Sequence, residues 1–149
     1  MGAHTNSLIS GIKDAIVALK AARAKKISAY QNLQAAIQAR DHAAAEMDNY
    51  YRAKGWDTKR STHEQEMNSD QKWAGLNAKW DSAMNETRRL KKLLETTMSV
   101  QTTVNQVAAA RLKSLEDYIK KKEVEKSWWQ KTSVSAAKQF IVYAREVIV

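Results

Sequence analysis

The sequence predicts an all-α protein: a long antiparallel, coiled-coil-like helical hairpin followed by a third, C-terminal helix. Proline is absent from the 149 residues, and glycine stands only at Gly2, Gly11, Gly55 and Gly75, so the usual helix breakers are nearly missing. Apolar residues recur at alternating three- and four-residue steps over long stretches. Strong turn chemistry gathers in one segment, Gly55-Trp56-Asp57-Thr58-Lys59-Arg60.

The first helix is expected over about residues 7–54, capped by Asn6 or Ser7. Its seam runs Ile9, Ile12, Ile16, Leu19, Arg23, Lys26, Tyr30, Leu33, Ile37, Arg40, Ala44, Met47 and Tyr51, a heptad pattern with a charged interruption. Lys54-Gly55 reads as its C-cap, and residues 55–61 as the turn.

Ser61-Thr62-His63-Glu64 reads as a capping box opening a second helix over about residues 62–131. Its seam is Trp73, Asn77, Trp80, Met84, Thr87, Lys91, Leu94, Met98, Gln101, Asn105, Ala108, Leu112, Leu115 and Ile119, widened by Leu76, Leu90 and Leu93. Between 96 and 104, β-branched Thr96, Thr97, Val100, Thr102, Thr103 and Val104 weaken the helix and predict a break. The chain is read as a single domain, 1–149, with an elongated three- or four-helix bundle as the alternative architecture; a break there would make the bundle compact. Thr132 or Ser133 is positioned to cap a third helix over about 133–149.

A turn centred near Thr58 places Trp73 and Trp80 across from Ala35, Ala36, Ala39, Ala43 and Ala44, large against small. It also sets Lys20, Arg23, Lys25 and Lys26 beside Arg88, Arg89, Lys91 and Lys92. The third helix would fold back along Lys113 to Trp129 and sheath the far end of the second. Two helices alone leave apolar surface wet, so a further helix or a partner chain is expected.

Function classes narrow by exclusion. There is no cysteine for a disulfide, thiolate or Cys-based metal site. His4, His42 and His63 are scattered, and His63-Glu64-Gln65-Glu66 lacks the second histidine of a helical zinc motif, so no metal or cofactor is expected. No Gly-rich phosphate loop or nucleophile elbow occurs, and no enzyme is expected. The N-terminus lacks a secretory signal's apolar core, and no uncharged run spans a bilayer. Met1-Gly2 is followed by Asn6 where a myristoylation motif needs Ser or Thr. Trp73-Ala74-Gly75 resembles the Trp-x-Gly turn of small secreted helical-hairpin proteins of a dedicated bacterial secretion system. That motif lies in the turn between helices, whereas the periodicity sets Trp73 about three turns into the second helix, so the family is not assigned.

What remains is a non-catalytic structural subunit that self-associates or docks in a filament, virion, secretion apparatus or similar assembly. Its internal seam is expected at Trp73, Trp80, Leu94, Leu112, Leu115 and Ile119, and its docking surface at Phe140, Ile141, Val147, Ile148, Trp128 and Trp129. The net charge of +9 supplies a second expectation: Lys20, Arg23, Lys25, Lys26, Arg88, Arg89, Lys91 and Lys92 as contacts for nucleic acid or another anion. A third is a membrane surface, met by Lys120-Lys121-Lys122, Trp128-Trp129 and the apolar last helix.

Overall fold

The computed structural model describes residues 2–59, 62–125 and 131–148. Four helices follow in order: α1 (Ala3–Ala53), α2 (Glu64–Ser69), α3 (Gln71–Glu125) and α4 (Lys131–Val147), with no strand among the described residues. The expected hairpin is present: α1 packs against α3, and the shorter α4 joins them.

The ends of the helices follow local chemistry. α1 begins earlier than the Asn6 or Ser7 cap, because Thr5, Ile9 and Ile12 are already buried and His4 packs edge-on against Tyr118, 4.6 Å between ring centres. It ends as expected at Gly55, whose left-handed φ of 74° lets its N–H reach the Arg52 carbonyl (3.0 Å) and the Trp56 N–H reach Tyr51 (3.1 Å). The expected second helix is divided. α2 is six residues long, its N-cap is His63 with no side-chain capping bond, and Ser61 lies outside the described residues. Asp70 then leaves helical geometry and caps α3, its Oδ1 accepting the Trp73 N–H at 2.8 Å.

The expected break at 96–104 does not form: α3 runs unbroken through it to Glu125. The hydroxyls of Thr96, Thr102 and Thr103 accommodate the helix by donating to the carbonyls of Lys92, Met98 and Ser99 at 3.0–3.1 Å. The chain does divide there in another sense, into two compact units: unit 1 is Met1–Lys26 with Thr97–Val149, and unit 2 is Ile27–Thr96.

Unit 1 is a three-helix arrangement. Ile9, Ile12, Ala15, Ile16 and Leu19 of α1 meet Ala108, Leu112, Leu115 and Ile119 of α3 and Ala137, Ile141, Ala144 and Ile148 at the end of the chain. Ile12, Leu19 and Leu115 are fully buried, each contributing roughly 1.5–3 kcal/mol. α4 runs antiparallel to α3, with Lys138 paired to Glu123 and Arg145 to Glu116 (2.9 Å).

Unit 2 contains two long helical segments and α2. Its α1 face buries Ala29, Leu33 and Ala43, its α3 face Thr87 and Leu90, and Met67 is buried on α2. Tyr30, Lys91 and, in unit 1, Met98 are exposed instead of lying in the seam, which passes through Ala29, Leu90 and Thr97.

Pairing runs about one heptad further along α3 than a turn at Thr58 gives. Lys79 meets Glu46 at 3.0 Å and Thr87 reaches the Ala36 carbonyl at 3.4 Å in unit 2, while Arg111 reaches the Gly11 carbonyl at 2.8 Å in unit 1. The cause is α2, whose six residues lengthen the connection. A whole-heptad shift keeps the same faces together, which is why the seams survive it.

Candidate interaction surfaces

In unit 2 the shifted register gathers aromatics at the turn. Trp56 is fully buried, edge-on to Tyr50, Tyr51 and Trp73 at 5.6–6.3 Å between ring centres. Trp73 is in the first turn of α3 and packs on Tyr50 and Tyr51. Asp70 ties the cluster together: its Oδ2 accepts the Tyr50 hydroxyl at 2.8 Å and its Oδ1 the Trp73 amide. The Trp73 N–H, and next the Tyr50 hydroxyl, hold its carboxyl below the ordinary 3.8. Burial and the Asp70 bond raise the Tyr50 phenol in turn.

Beside this cluster, Ala44, Met47, Asp48, Tyr51, Trp73 and Trp80 line an open groove of about 290 Å³. Trp80 and Ala44, expected to face each other, both line this groove. Met47, Tyr51, Trp73 and Trp80 are all half-buried: two helices bring them together and leave one side of each to solvent.

The two basic clusters fall in different units. Lys20, Arg23, Lys25 and Lys26 belong to unit 1 and Arg88, Arg89, Lys91 and Lys92 to unit 2. Arg89 is engaged by Glu86, which raises the guanidinium and lowers the carboxyl. Lys20 and Lys25 are exposed, whereas Arg23 and Lys26 are half-buried in the seam. They line a groove of about 230 Å³ with Met98, Gln101, Thr102 and Asn105, residues that lie a heptad or more beyond the expected Arg88–Lys92.

The docking residues expected on the last helix divide. Ile141 and Ile148 are 6% and 8% exposed and belong to the unit 1 core, because every third or fourth residue of α4 turns inward onto α3 and α1. Phe140 and Val147 are partly buried against that core, Val142 and Tyr143 are exposed, and Trp128 and Trp129 lie outside the described residues. Leu94 is half-buried in unit 2, while Leu112, Leu115 and Ile119 are buried in unit 1.

Sequence reasoning missed Asp70 and Trp56. Asp70 stands three residues before Trp73 at the head of a helix-forming run, the spacing of an N-cap, and that signal was available. Trp56, within turn chemistry, gave none.

Among the described residues no helix is long and apolar enough to cross a membrane, and no three His, Asp or Glu side chains gather as a metal site. No protein-family model, no curated protein and no solved structure matches this chain.

Proposed function

We propose that the protein is a non-catalytic helical assembly subunit that self-associates through unit 2. The observation carrying this reading is the open aromatic groove of Met47, Tyr51, Trp73 and Trp80 on a unit with only two long helical segments. A second copy laid on that face would complete a four-helix core, the usual way such faces leave water. Charge permits it: unit 2 carries 11 basic and 10 acidic side chains, so two copies do not repel strongly.

Light scattering over two decades of protein concentration tests the proposal. The mass should rise above the 16.9 kDa of one chain, and Met47→Glu with Trp80→Glu should return it to that value with helix content preserved by circular dichroism. A mass that stays at one chain, or a variant that assembles as before, would overturn it.

A further inference from the structure

Unit 1 carries a second, differently built surface. The face of α3 that receives α4 continues past the end of α4. Thr102 lies two heptads before Glu116, which pairs with Arg145, and Asn105 lies two heptads before Ile119 in the core beneath α4. α4 ends at Val147, two residues or about half a turn beyond Arg145, so it does not reach the groove lined by Arg23, Lys26, Met98, Gln101, Thr102 and Asn105.

We propose that this groove receives an acidic amphipathic helix from a partner protein, lying in line with α4. Arg23 and Lys26 are half-buried at its wall, and neither meets a carboxylate among the described residues. Met98, 46% exposed, offers apolar surface to the helix's other face. The α4 of a second copy does not fit, since it presents Lys138 and Arg145 towards α3 and would set cations against Arg23 and Lys26. A nucleic-acid backbone is matched less well, because it is gripped by projecting cations, whereas these two are recessed beside amides and a thioether.

The test uses the whole protein and fluorescence anisotropy with three labelled probes: a peptide of Leu-Glu heptads, its Leu-Lys counterpart, and single-stranded DNA. The Leu-Glu peptide should bind saturably and the Leu-Lys peptide should not. Arg23→Glu with Lys26→Glu should weaken binding at least about tenfold. Lys20→Glu with Lys25→Glu, the same charge change at exposed positions, should weaken it by less than half as much on a logarithmic scale. If the reversal lowers helix content, Arg23→Gln with Lys26→Gln carries the comparison. Amide shifts on titrating the peptide should centre on Gln101, Thr102 and Asn105. Equal losses in both variants, shifts centred elsewhere, no peptide binding, or DNA displacing the peptide from these residues would overturn the proposal.

Discussion

Asp70 does two jobs with one carboxylate, capping α3 through Trp73 and holding Tyr50 over the turn. Its depressed carboxyl gives this corner a defined pH response. A group lowered in the folded state contributes stability that is full above its unfolded value, here about 3.8, and is lost as pH falls through the folded value. The melting temperature should therefore fall below about pH 4. Asp70→Ala should lower it by a few degrees at neutral pH and flatten that acid limb, while Asp70→Asn, still a competent cap, should lose less. Glu46 and Glu86, lowered chiefly by Lys79 and Arg89, share the same direction, so the comparison is made on the difference between variants. Trp56 offers a second test at this scale. Its ring is fully buried, but its Nε1 atom has no hydrogen-bond partner. Trp56→Ala should cost about 3–5 kcal/mol in denaturant unfolding through the cavity it leaves. Trp56→Phe should cost far less, since it keeps most of the ring and removes a buried donor that has no acceptor.

At the scale of elements, the pairing of α1 with α3 rests on small residues. Ala15, Ala22, Ala29 and Ala43 are buried at heptad spacing, with half-buried Ala36 completing the series where the Thr87 hydroxyl approaches its carbonyl. A larger side chain there must push the helices apart, so Ala43→Leu should cost about 1–3 kcal/mol. Ala39→Leu, exposed on the same helix, should be nearly neutral by the same urea titration. The heptad seams, the Gly55 turn and the fold-back of the last helix were legible because each depends on periodicity or on one residue's backbone freedom. The register was not, since it depends on α2 and on Asp70 choosing where α3 begins. The Arg23–Lys26 interruption was legible as a flaw in the seam; what lies opposite was not, because it needed that register. The unbroken helix through 96–104 shows propensity overridden by packing and by hydroxyls turned onto their own helix. If so, replacing exposed Thr96, Thr102 and Thr103 by Ala should raise stability by about 0.5 kcal/mol each, without altering helix content.

For the whole molecule the decisive feature is where the charge lies. Unit 1 carries 14 basic and 6 acidic side chains, against 11 and 10 in unit 2, so nearly all of the net +9 belongs to unit 1. Salt should then act on the two units through different physics. In unit 1 it screens many like charges, its reach falling from about 30 Å at 10 mM to about 10 Å at 100 mM. The opposing loss is small, because ion pairs such as Arg145–Glu116 are solvent-exposed and worth roughly 0.2–1 kcal/mol. Repulsion should win, and the melting temperature should rise with salt. Association through the nearly neutral, aromatic face of unit 2 has no such term: its midpoint concentration should hold or tighten slightly as salt strengthens apolar burial. Scanning calorimetry and light scattering across one salt series read both. Association that dissolves with salt would mean that charge, and so a different surface, drives assembly; a melting temperature that falls would mean that the ion pairs outweigh the repulsion.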